Sequence, residues 1–191
     1  MKRMRRISRA FRGFSLVELL VVISIIALLS AMAITAFNSV ASSARIQSTG
    51  DGVADMLIQA RQLALTRNVS VEVRLTRDEN GNGRVFQIYG FKGTNVSSIG
   101  RRLRLPDGVA ICSNLSPLLN DGSNPTNGSN ISTIRFQPNG EPLLSSELAS
   151  APNQVFLTIG MARDASAAVA PENYIAITIN PYTGQVQTYR P

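Results

Sequence analysis

Apolar residues change their period twice along the chain, and each change predicts a different kind of element. From Phe14 to Phe37 they run almost without interruption, and residues 19–36 carry no charge over 18 positions. At about 1.5 Å of rise per residue such a stretch is just long enough to cross a bilayer, and extending it back to Phe14 makes the length comfortable. No proline precedes Pro106, so nothing sharply kinks a helix here. The pattern predicts a transmembrane helix over 14–37. One carboxylate, Glu18, lies a turn inside it. A charge at a membrane helix centre costs roughly 2.5–3.5 kcal/mol on insertion scales, and less near the interface. A compensating partner is therefore expected.

Residues 38–52 are small and polar. Gly50 and Gly52 each cost about 1 kcal/mol relative to alanine in a helix, which predicts a bend or short break. Beyond it, Val53, Met56, Leu57, Ala60, Leu63 and Ala64 recur at three-four spacing, the mark of an amphipathic helix with one buried face. The helix continuation over 38–68 ends near Asn68, and a straight helix from Phe14 would be about 80 Å long. The period then becomes two. Val69, Val71, Val73 and Leu75 alternate with Ser70, Glu72 and Arg74, which predicts a half-buried strand. Asn80-Gly81 and Asn82-Gly83 are hairpin dipeptides, and a strand returns over 85–91. Further strands are predicted at 101–105, 109–112, 131–137, 155–161, 175–179 and 186–189. The fold class is α+β: a long N-terminal helix, transmembrane and then amphipathic, packed on an antiparallel β module of about eight strands over 69–191. Residues 113–130, rich in Ser, Asn and Gly with two prolines, read as a long exposed loop, expected to be disordered.

Charge changes the picture in one respect. The formal net charge is +7, from 19 basic and 12 acidic residues. Lys2, Arg3, Arg5, Arg6, Arg9 and Arg12 all precede Phe14, and no acid does. Without those six, 13 basic groups face 12 acidic ones, a net of +1. The basicity thus belongs mainly to residues 1–13, which resemble the cytoplasmic n-region of an export signal. Cys112 is the only cysteine, so no intrachain disulfide forms, and a small buried apolar role is expected for it. There is no histidine, and Lys92 is the only lysine after residue 13. His-based general bases, His-ligated metals and Ser-His-Asp triads are excluded, and a Ser-Lys dyad has one candidate. No enzyme activity, cofactor or metal is expected.

The N-terminus can be processed in two ways. Ala31-Met32-Ala33 offers a small-x-small cut after an apolar region, releasing a chain that starts near Ile34. Glu18 argues against this, because such regions are normally uncharged. The alternative rests on Arg12-Gly13-Phe14-Ser15-Leu16-Val17-Glu18-Leu19-Leu20. This stretch resembles the class III signal of type IV pilins and type II secretion pseudopilins. The resemblance implies cleavage between Gly13 and Phe14 by a prepilin peptidase on the cytoplasmic face, removing residues 1–13 as a leader. It also implies N-methylation of Phe14 and retention of the anchor. Cleavage would create an α-amine four residues before Glu18. On a helix, i and i+4 share a face, so the two charges could pair within one chain or between chains. The resemblance implies the intermolecular pairing, in which Glu18 sets the axial register of an incoming subunit.

The β module is similar to the GspH/FimT family of minor pseudopilins and minor pilins. The resemblance is carried by residues 60–68 (Ala-Arg-Gln-Leu-Ala-Leu-Thr-Arg-Asn), by Ile134-Arg135-Phe136-Gln137-Pro138-Asn139-Gly140, and by Ile177-Thr178-Ile179-Asn180 with Thr183-Gly184-Gln185-Val186. It implies a minor pseudopilin of a type II secretion pseudopilus in a bacterial inner membrane. The N-terminus is then cytoplasmic and the β module periplasmic. The implied partners are the prepilin peptidase, other pilins in the filament, the membrane and secreted cargo. The alternative it implies is a FimT-like type IV minor pilin whose β module binds DNA or another ligand during uptake.

Two constellations invite chemistry. Asp78-Glu79-Asn80-Gly81-Asn82-Gly83 fits the start of a calcium loop, but the twelfth position, which needs a bidentate Glu, is Tyr89. A hairpin explains the same residues. Arg101, Arg102 and Arg104 cluster, with Arg135 and Arg163 elsewhere in the β module. DNA binding wants several cations on one face, whereas strand alternation puts Arg102 and Arg104 on one side and Arg101 on the other. A solvated, charge-guarded strand edge is the favoured reading.

Overall fold

In the computed structural model, which describes residues 14–77, 84–92, 95–119, 131–166 and 169–191, one helix, α1, spans Leu16–Arg67. It ends at Asn68, whose φ of 52° is the left-handed conformation with which helices commonly stop. Eight strands follow: β1 Val71–Arg77, β2 Arg84–Lys92, β3 Asn95–Arg104, β4 Val109–Ile111, β5 Ile131–Phe136, β6 Phe156–Met161, β7 Ile175–Ile179 and β8 Val186–Tyr189. A one-turn helix, α2 (Ser146–Ser150), precedes β6. The chain forms two units, Met1–Ala41 and Ser42–Pro191.

Among the described side chains of the first unit, over residues 16–31, the helix has no continuous polar side. Leu16, Val17, Leu19 and Val22, which between them point all round the helix, are exposed. A helix that is apolar all round belongs in a bilayer or among other helices rather than in water. No helix among the described residues is long and apolar enough to cross a membrane. The side chains described in this apolar segment end at Ala31, and the helical backbone continues through residues 32–39, whose side chains lie outside the described set.

The second unit is two four-stranded antiparallel sheets, ordered β3-β2-β1-β5 and β4-β6-β7-β8. Their core residues, including Val71, Val73 and Leu75 of β1 and Ile175, Ile177 and Ile179 of β7, form one cluster with Ile46, Val53, Leu57, Ala60 and Ala64 of α1. Each fully buried Ile, Leu or Val side chain contributes roughly 1.5–3 kcal/mol. The predicted break at residues 50–52 does not occur. A Cβ at Gly50 would lie 2.7 Å from Cδ1 of Ile175, so this glycine allows close approach of helix and sheet. The helical cost is offset by packing.

Two further expectations are corrected. Strand β3 begins six residues before the predicted 101; apart from the half-buried Ile99, residues 95–100 are exposed and carry no alternation that would mark them. Residues 113–119 are not an open loop. They form two short 3-10 turns, Ser113–Leu115 and Pro117–Leu119, that bury Leu118 and Leu119. Ser116, fully buried, donates from Oγ to the Cys112 carbonyl at 2.7 Å and accepts from the Thr158 N–H at 2.9 Å. Its leucines, diluted in a polar run, supply the apolar surface that holds the segment down. Residues 120–130 of the predicted loop lie outside the described set.

Candidate functional site

At the N-terminal end, Phe14 is exposed and precedes the regular helix; the first turn is closed by the Leu19 N–H donating to the Ser15 carbonyl at 3.1 Å. Glu18 is the third residue of α1 and is exposed. That placement has a physical consequence missed by periodicity alone. Three residues after Ser15, the carboxylate sits where the helix dipole favours negative charge, by about 0.3–1 kcal/mol. At that size the dipole offsets only part of the roughly 2.5–3.5 kcal/mol that a carboxylate costs at a membrane helix centre. Because Phe14 lies outside the helix, helical i,i+4 geometry does not by itself align it with Glu18 in this chain. Gly13 lies outside the described residues.

The three clustered arginines occupy the last four residues of β3, the edge strand of its sheet, and all are exposed. The strict alternation that would separate Arg101 from its neighbours is broken. Ile99 pairs with Ile88 and Leu103 with Phe86, so three residues of β3 bulge opposite Gln87 alone. Gly100 takes a φ of 74° there, and the Gln87 amide donates to the carbonyls of Ile99 and Gly100 at 3.3 and 3.4 Å. As a result Arg101, Arg102 and Arg104 all line one open groove of about 810 Å³. Its opposite wall is α1, through Asp55, Met56, Ile58, Gln59 and Gln62.

A second charged cluster was not visible in the sequence. Glu72 alternates with the core valines of β1 and was expected to face solvent, yet it is fully buried. Arg74 Nε donates to its Oε2 at 2.9 Å and Arg135 Nε to its Oε1 at 2.7 Å, with a second contact from Arg135 Nη2. The guanidinium groups stack on Tyr89 and Phe91, 4.4 and 4.9 Å from the ring centroids. Arg135, Glu72 and Tyr89 are opposed across β5, β1 and β2, so the outer sheet face carries its own covering layer. Losing one arginine leaves a buried carboxylate half paired, which costs about 3 kcal/mol for pairs of this kind. Arg135 is therefore structural. Arg163 pairs loosely with Asp164 at 3.6 Å.

The three sequence segments that carry the GspH/FimT resemblance meet at one point. Arg61 Nε donates to the Thr183 carbonyl at 2.9 Å. A Cβ on Gly184 would collide with the Gly140 carbonyl and lie 3.2 Å from the Arg61 side chain, while a Cβ on Gly140 would lie 3.0 Å from Leu65. Both glycines have positive φ, 83° at Gly140 and 68° at Gly184. Two turns from different sheets are thereby seated on the helix.

Cys112 is buried, and desolvation, followed by the charge of Asp164, raises its pKa. Its thiol stays protonated and unreactive. Among the described residues no group of His, Cys, Asp and Glu is placed to hold a metal. The calcium-like segment at Asp78 and the Lys92 side chain lie outside the described set.

Comparison with known proteins supports the N-terminal reading. Residues 8–34 match the family model described as the prokaryotic N-terminal methylation motif. No curated protein matches the chain. Among solved structures, the type IV minor pilin FimU of Pseudomonas aeruginosa (strain PAO1) is similar, with a TM-score of 0.45 and 14% identity. That likeness covers 76% of this chain and 92% of FimU.

Proposed function

We propose that this chain is a pilin-like structural subunit of a bacterial envelope filament, a minor pseudopilin of a type II secretion pseudopilus. A prepilin peptidase removes residues 1–13, Phe14 is N-methylated, and the chain stays in the inner membrane by a single span with its β module in the periplasm. The observation that carries the reading is the methylation motif over residues 8–34, joined to a helix that is apolar on every described side up to Ala31. The span keeps its anchor because the cut precedes the apolar run. Glu18 then meets the α-amine of a neighbouring subunit, which fixes axial register as the helices bundle. The protein acts by assembly, as the substrate of an enzyme and not as a catalyst.

A FimT-like pilin that binds DNA during uptake is the second reading, and the shared groove of Arg101, Arg102 and Arg104 is what favours it. Deleting the gene in its own host separates the two. The pseudopilus reading predicts that exported enzymes accumulate in the periplasm while DNA uptake is unchanged. Normal secretion with lost uptake would reverse the assignment.

A further inference from the structure

The residues that line the groove between α1 and the end of β3 all lie in the second unit, outside the matched N-terminal motif. Arg101, Arg102 and Arg104 all line it beside the bulge opposite Gln87, where Gly100 takes a positive φ. Among the described residues, Arg101 and Arg102 form no ion pair. The facing helix wall supplies two side-chain amides, Gln59 and Gln62, two apolar side chains, Met56 and Ile58, and one carboxylate, Asp55.

We infer that this groove binds an acidic, extended segment of a partner protein. The arginines offer planar, paired donors that match carboxylates. The glutamine amides on the other wall can donate to and accept from a peptide main chain, and Met56 and Ile58 give it an apolar floor. Strand addition is not the mode, because the bulge and the charges blunt the edge of β3 over 100–104. Nucleic acid fits less well. Binding a single strand combines a basic track for phosphates with aromatic side chains for the bases, and the residues that line this groove include no aromatic. A peptide needs no such platform, and its carboxylates can face β3 while its main chain meets the amides of Gln59 and Gln62.

The test uses the full chain in zwitterionic detergent micelles and a fluorescein-labelled peptide of four glutamates spaced by serine and glycine. A lysine peptide of the same spacing and a 12-nucleotide single-stranded DNA serve as competitors. Fluorescence anisotropy at low salt should show binding of the acidic peptide that weakens as salt rises. The double variant Arg101→Glu/Arg102→Glu should weaken it at least tenfold, and Asp55→Asn should tighten it a few fold. Since these three side chains are exposed or at the groove wall, circular dichroism checks that each variant keeps the fold. Absence of peptide binding, equal binding by the double variant, or tighter binding of the DNA would each overturn the inference, the last in favour of a nucleic-acid site.

Discussion

Gly184→Ala is expected to cost about 3 kcal/mol or more, among the largest effects of any single methyl group in the chain. The added Cβ meets the Gly140 carbonyl, a backbone atom that cannot rotate away, and φ at Gly184 is 68°. Relief would require separating the turn before β8 from the turn after β5, and with it the Arg61–Thr183 hydrogen bond. Gly100→Ala is the control. Its φ of 74° is nearly the same, but nothing lies within 4 Å of the added carbon. It should carry only the conformational penalty, about 1–2 kcal/mol. Thermal unfolding of the full chain in one detergent, followed by circular dichroism, measures both. The expected shift for Gly184→Ala is roughly 6–12 °C, and that for Gly100→Ala about half or less. Equal shifts would mean that the junction of the two turns is not tight.

Glu18→Ala is expected to leave processing and insertion intact and to reduce incorporation into filaments at least tenfold. The helix dipole contributes no more than about 1 kcal/mol at Glu18. An amine about 4 Å from the carboxylate contributes about 4 kcal/mol even at an effective dielectric near 20. In the proposed filament the pairing with a neighbour's Phe14 amine would outweigh the dipole, and its removal should unseat an incoming subunit. Cross-linking in membranes that contain the other subunits reads the outcome. Incorporation of Glu18→Ala at the wild-type level would contradict the register role, while retention by Glu18→Asp would support it.

The elements that were legible in the sequence are those whose pattern is set by burial. Val71, Val73 and Leu75 announce β1, and Ile175, Ile177 and Ile179 announce β7, because one face of each meets the core. The first half of β3 was hidden for the opposite reason: an edge strand exposed on both sides has no hydrophobic period to read. Gly50 misled because its propensity is local while its use is tertiary, a close approach to Ile175. The break in alternation at Arg101 was not legible because a bulge needs its partner strand to be seen. Glu72 was placed in solvent because only the register brings Arg135 and Tyr89 beside it. At the N-terminus the methylation motif over residues 8–34 was readable because it is a linear pattern that needs no tertiary contact to be seen.

The identity of the first residue of the mature chain tests the account most directly. Purified from the membranes of its own host and analysed by mass spectrometry, the N-terminal peptide should begin with N-methylated Phe14 and retain Glu18. A chain that begins at Ile34, or one that keeps residues 1–13, would contradict prepilin-type processing and the filament assembly built upon it.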